Sequence, residues 1–459
     1  MKQQKWILRM NAFSVRKVSC SILTSFVSIA VAYQDLAAQD MRDSSVMYNG
    51  IKLPHVWPPN DLDPASVTPM RIPYLEAPPA LIPINIGRQL FVDDFLVQET
   101  TLTRVFHQAR KYAGNPVLFP ETPEELRIDA RGNQEAVTAT HHGGVFYDPS
   151  EQLFKMYYSI GFHGALGLAK STDLVTWTRP NLNMYGKNNI VLPKGINWAG
   201  LANSVWLDLN AKDPNARWKL ITNRTTYPFG HAVKDYQQYT LHTSPDGLHW
   251  SHGVKTGKIE DYCSFFFNPF RNMWTFSLKA NYPIRIRNYV ESKDFLATPN
   301  WENSTFWVGA DKLDEPDPDI GDTPQLYSLN SVAYESIMIG EFYIHLGPDN
   351  QKCIEGKFPK LTEIKLGFSR DGFHWHRPDR RAFIEATRKE GDWDRYYVYG
   401  TTGIFLVKDD LLWFPYTGYS GVSPNGSKGI YTGASIGMAT LRRDGFASME
   451  AGQKTGHLV

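Results

Sequence analysis

The chain has 459 residues, with 48 Lys and Arg against 47 Asp and Glu and a formal net charge of +1. Such a balance excludes the partners that a strong field recruits, nucleic acid and anionic membrane. Its 13 Trp, 23 Tyr and 25 Phe suit sheets that need flat fillers and ligands that stack on rings, such as sugars.

Residues 1–38 read as an export signal. Lys2, Lys5, Arg9, Arg16 and Lys17 flank the start of an apolar run over 18–33, and Leu36-Ala37-Ala38-Gln39 offers a small-residue cleavage point. The run is shorter than a spanning helix needs, so the mature protein is expected to be periplasmic or extracellular, without a membrane partner. Only Cys263 and Cys353 remain after cleavage, too few for a disulfide framework. Residues 39–84 are rich in Pro and polar side chains and read as an extended leader. Residues 89–97 read as a strand, expected with 105–107 and 115–118 to close a ring against the last repeat.

From residue 85 to 459 the chain repeats. Ser244-Pro245-Asp246-Gly247-Leu248-His249-Trp250 and Ser369-Arg370-Asp371-Gly372-Phe373-His374-Trp375 are the clearest copies of one motif. Ser171-Thr172-Asp173 with Trp177, Ser292-Lys293-Asp294 with Trp301, and Arg443-Asp444-Gly445-Phe446 are weaker copies. By subtraction the aspartates lie 73, 48, 77 and 73 residues apart. Before each copy lies a strand, a polar turn and a strand, as in 145–147 and 153–159 around Asp148-Pro149. A third strand leads into the motif and a fourth follows the Trp. The prediction is all-β: a five-bladed β-propeller of four-stranded antiparallel blades.

In a propeller the first strand of each blade lines the central channel, and chemistry is expected at one mouth. The candidates there lie between Glu135 and His142 in the first repeat, with Glu135, His141 and His142 foremost, and are Asn203 in the second, Glu260 and Asp261 in the third, Tyr334 and Glu335 in the fourth, and Tyr399 and Thr401 in the fifth. Asp261 precedes Tyr262-Cys263-Ser264-Phe265, and Glu335 lies within Val332-Ala333-Tyr334-Glu335-Ser336-Ile337-Met338. Burial in such a strand raises a carboxyl pKa and suits Glu335 to proton donation; the plainer alternative is a salt bridge holding neighbouring blades together.

Arg285 and Arg287 alternate on one strand, and with Arg395 in Trp393-Asp394-Arg395-Tyr396 they are candidate donors to a uronate or sulfate. Trp393 and Tyr334 are candidate stacking platforms. The acidic stretch over 311–322 reads as a solvated rim loop. No Gly-rich phosphate loop, paired-cysteine metal pattern or nucleophile elbow appears, so no cofactor or metal is expected.

Several stretches resemble exported bacterial family-32-like glycosyl hydrolases: Leu90-Phe91-Val92-Asp93-Asp94, Asn268-Pro269-Phe270-Arg271, Ala333-Tyr334-Glu335-Ser336 and Leu441-Arg442-Arg443-Asp444-Gly445-Phe446. More broadly the chain resembles the five-bladed glycoside hydrolases of families 32, 43, 68 and 130. The resemblance implies a carbohydrate substrate and three carboxylates on separate blades. Glu335 matches the acid and Asp261 the transition-state stabiliser. Where those families carry a first-blade aspartate, this chain reads Ala139-Thr140-His141-His142-Gly143-Gly144. Glu135 is the choice for that role, with Asp129 and Asp94 as alternatives. The expected function is hydrolysis of a plant or algal saccharide. A non-catalytic glycan-binding propeller, a sialidase-like enzyme and a phosphorylase-type glycosidase are the competing readings.

Overall fold

The computed structural model describes residues 46–162, 164–193, 204–224, 237–260, 262–297 and 301–459. Two short strands, β1 (Thr103–Phe106) and β2 (Arg110–Lys111), precede the repeats. Blade 1 is β3 (Thr138–Asp148), β4 (Leu153–Ile160), β5 (Ala165–Ser171) and β6 (Ile190–Leu192). Blade 2 is β7 (Ser204–Leu207), β8 (Trp218–Arg224), β9 (Gln237–Ser244) and β10 (Val254–Ile259). Blade 3 is β11 (Ser264–Asn268), β12 (Met273–Asn281), β13 (Arg285–Ser292) and β14 (Thr305–Val308). Blade 4 is β15 (Gln325–Tyr334), β16 (Ile337–Gly347) and β17 (Leu361–Ser369). Blade 5 is β18 (Tyr396–Tyr399), β19 (Leu406–Lys408), β20 (Leu411–Tyr419) and β21 (Ala434–Arg442), and β22 (Ala447–Glu450) follows it. First strands touch in sequence, β3 with β7, β7 with β11 and β11 with β15, while β20 and β21 return to β3. The fold is a five-bladed β-propeller.

The ring closes through the N-terminal segment, but not with residues 89–97. Asp93 accepts the amide of Phe95 and ion-pairs with Arg370 at 2.8 Å, both side chains fully buried, so this stretch bends instead of extending. The closing contacts are β2 on β21 (Arg110 opposite Thr440), Leu118 on Ile436, and β1 on β22. Blade 4 has three strands among the described residues. Its outer edge is met by single bridges from His376 to Phe368 and Ile384 to Ile364. Beside that edge, the acidic stretch is not a solvated loop: Asp314 is buried and takes both Arg377 nitrogens, at 2.6 and 2.8 Å.

Each motif copy turns the third strand toward the outer edge. In blade 4, Asp371 accepts the amides of Phe373 and His374 at 2.9 and 2.8 Å, while Ser369 accepts that of Gly372. Gly372 takes φ +81°, and a Cβ there would come 2.1 Å from Asn268 Nδ2 in the β11–β12 turn of the preceding blade. The motif is thus also a joint to the preceding blade, as it is in blade 2, where Tyr157 of blade 1 donates to the Gly247 carbonyl at 3.1 Å. Asp444 departs from this pattern and bonds to Arg88 and Tyr334.

Antiparallel pairing gives the ring two faces. The start face carries the beginnings of β3, β7, β11 and β15; the turn face carries the first hairpin turns and the motifs. The segment from Met47 to Phe95 packs on the turn face, with Tyr48 bonded to the Ser336 carbonyl and Asn49 to that of Arg370. Cys263 and Cys353 are buried and not joined in a disulfide.

Candidate active site

The hairpin of blade 4 fixes the face on which Glu335 lies. β15 pairs with β16 down to Tyr334 opposite Ile337, so Glu335 and Ser336 are the turn itself. Glu335 adopts φ +53°, and its carboxylate accepts the Arg88 backbone amide at 2.9 Å and meets the Arg88 guanidinium at 2.8 Å. Tyr334 donates its hydroxyl to Asp444 at 2.7 Å, and Arg88 also grips Asp444 at 2.6 Å. These side chains rivet the segment around Arg88 to blades 4 and 5 on the turn face. Glu335 and Tyr334 are therefore corrected in place: they stand at the hairpin turn in a salt-bridged inter-blade joint, not at the starting end of the inner strand. Eight steps of extended chain lead from Tyr327 on the start face to Glu335, about 26 Å at ~3.3 Å per residue.

Other expected site residues disperse. Arg287 is buried and donates to the Ser277 hydroxyl and to the carbonyls of Tyr262 (2.5 Å) and Tyr327 (3.3 Å), contacts that brace the fold. Trp393 packs on Tyr416 at 5.4 Å and covers Gly418 and Gly437, a filler of blade 5. Arg395 lies over the Tyr396 ring at 4.9 Å. His141 and His142 lie in β3 where its register with β4 shifts, between Ala139 and Gly144; their side chains, and Asn203 and Asp261 entirely, lie outside the described residues.

The start face does assemble a site. Glu135 lies just ahead of β3, its carboxylate paired with Arg127 and accepting the Phe162 amide at 3.1 Å. Both members of the pair keep about a third of their side-chain surface in solvent, 35% and 34%. Phe162, in the β4–β5 turn, stacks on Tyr431 with centroids 3.6 Å apart and an 8° tilt. Beyond Tyr431 lies a buried group of cations and phenols. Lys360, immediately before β17, donates to the Tyr327 hydroxyl at 2.7 Å, and the Tyr397 hydroxyl donates to the same oxygen at 3.1 Å. The Arg285 guanidinium stands 4.2 Å from the Tyr327 ring centroid. The backbone fixes this arrangement: Tyr397, at φ +46°, donates its amide to the Lys360 carbonyl.

Burial pushes the Tyr327 phenol up, but Lys360 and Arg285 together outweigh it and hold the group below the ordinary phenol range. Burial also drives the Lys360 ammonium down, and Arg285 adds to this. His345, 5.8 Å from the Tyr327 ring, is lowered to about 3 by burial and by the same two cations, so its imidazole is neutral. Tyr327, Lys360, Tyr397 and Tyr431 were not among the expected residues. Each lies at the start-face end of its strand or loop, but the group forms only where the segments of blades 4 and 5 meet.

No family model matches the chain, and no curated protein matches it. Solved structures do. One described as a glycoside hydrolase aligns at TM-score 0.45 and 11% identity, covering 76% of this chain and 95% of its own. A glycosyl hydrolase from Bacteroides ovatus aligns at TM-score 0.42 and 11% identity, covering 78% and 96%. A thermostable family-43 glycoside hydrolase aligns at TM-score 0.41 and 11% identity, covering 70% and 95%.

Proposed function

We propose that this protein is a glycoside hydrolase that takes its carbohydrate substrate on the start face. The observation that carries this reading is the meeting of a solvent-reaching carboxylate, Glu135, with the stacked pair Phe162 and Tyr431. Sugar rings present C–H faces that pack on aromatic rings, and glycoside hydrolysis needs a carboxylate beside the bound ring. Glu135 then activates water or attacks the anomeric carbon. Arg127 and the Phe162 amide hold it in one orientation, as a reacting group requires. In this reading Asp261 is the transition-state stabiliser and Arg285 a donor to substrate polar groups. Export through residues 1–38 would deliver such an enzyme to plant or algal polysaccharide.

A glycan-binding propeller without catalysis is the second reading, favoured by the ion pair that already occupies the Glu135 carboxylate. Incubation with a panel of plant and marine glycans, with and without phosphate, separates the readings. New reducing ends without phosphate support the hydrolase. Sugar phosphates formed only when phosphate is present identify a phosphorylase. Binding without product identifies the binding module.

A further inference from the structure

Lys360 is fully buried, its ammonium hydrogen-bonds to the Tyr327 hydroxyl, and no carboxylate lies within ion-pair range of it among the described residues. A buried charge without a counter-charge is expensive, so this arrangement calls for a partner that becomes negative. A phenol oxygen has two acceptor sites and one proton. Lys360 fills one acceptor site of Tyr327 from 2.7 Å and the Tyr397 hydroxyl fills the other from 3.1 Å. Among the described residues the Tyr327 hydroxyl itself donates to nothing. Its proton therefore has no acceptor among the described residues, although the residue is only 3% exposed.

We infer that Tyr327 is the proton donor of the start-face site, in the role that Glu335 is too distant to fill. This rests on the hydrolase reading. As the bond between the anomeric carbon and the glycosidic oxygen breaks, its electron pair goes to that oxygen, which takes the Tyr327 proton. Water adds its oxygen to the anomeric carbon and gives a proton to Glu135. Lys360, Tyr397 and Arg285 hold the phenolate left behind, and exchange with solvent returns the proton from Glu135 to Tyr327.

The groups facing Tyr327 come from three blades: Lys360 and His345 from blade 4, Arg285 and Tyr262 from blade 3, and Tyr397 and Tyr399 from blade 5. With His345 neutral, Lys360 and Arg285 are the cations that favour ionisation, which puts the phenol nearer the working pH than a solvated tyrosine, as general acid catalysis prefers.

The test compares Tyr327→Phe with wild type on two glycosides of whichever sugar the glycan panel releases, one with a nitrophenyl and one with an alkyl leaving group. An acid matters most where the leaving oxygen is basic. The expected loss in kcat is about 100-fold or more on the alkyl glycoside and under about 10-fold on the nitrophenyl one. Lys360→Met, which keeps the hydroxyl but removes the cation, should move the alkaline limb of kcat/KM upward. Equal losses on both leaving groups, or an unmoved alkaline limb, overturn the inference. Ultraviolet titration of wild type against Tyr327→Phe needs no substrate. One phenol ionising ahead of the rest, missing from the variant, supports the inference, and identical titrations overturn it. If that phenol is present but no glycan is turned over, the hydrolase reading fails and the donor role falls with it.

Discussion

Tyr327 and Glu335 stand at opposite ends of one strand, with about 26 Å of β15 and its turn between them. Tyr327 shares its face with Glu135, and Glu335 shares its own with the motif turns and the leader. An apolar neighbourhood does not make a strand residue central: Glu335 is flanked by apolar residues because both arms of its hairpin are buried.

Glu335→Gln should therefore leave turnover unchanged and lower stability only slightly. Its partner Arg88 is 49% exposed, and a pair so open to solvent contributes about 0–1 kcal/mol. Urea denaturation beside a glycan assay checks both parts. A loss of stability above about 2 kcal/mol would mean that the rivet is far stronger than an exposed pair allows.

Gly372 gives a sharper stability test. Alanine there must hold φ +81° and also push Asn268 aside, for about 2–4 kcal/mol together. Gly452 is the control, with φ +62° and open space around its missing Cβ. Gly452→Ala should cost only the backbone part, about 1–2 kcal/mol. Similar midpoints in urea for the two variants would show that the motif glycine does not form the blade joint.

Glu341, in β16, is wholly buried, and its carboxyl is pushed up to about 8 by burial, against which the Tyr343 hydrogen bond at 2.8 Å pulls only partly. Between its ordinary value of 4.5 and about 8 the folded state binds the proton that the unfolded state has lost. Stability must then fall as pH rises through that window and level off above it. Glu341→Gln removes this dependence, matching wild type near pH 4 and exceeding it at pH 8 by on the order of 4 kcal/mol. Parallel stability–pH curves for the two proteins would contradict the assignment.

The repeat made the fold legible, because the Ser-x-Asp-Gly motif is a local turn whose geometry depends on its own residues. It also contained the clue to Glu335, which lies 36 residues before Asp371 by subtraction, much as the turn residue Asp409 lies 35 before Asp444. The position of Glu135 was legible, ahead of the first inner strand. Tyr327, Lys360 and Tyr397 were not, since the phenol and its two donors come from segments up to 70 residues apart and meet only when blades 4 and 5 close. Arg287 misled for the converse reason: its alternation with Arg285 was read correctly, but its guanidinium turns inward to backbone carbonyls that sequence does not display.

The most direct test of the start-face assignment sets Glu135→Gln beside Glu335→Gln on the glycan that wild type cleaves best. The account predicts a kcat loss of about 100-fold or more for Glu135→Gln, with the fold intact by circular dichroism, and wild-type turnover for Glu335→Gln. Full activity in Glu135→Gln with loss in Glu335→Gln would contradict it and move the chemistry to the turn face.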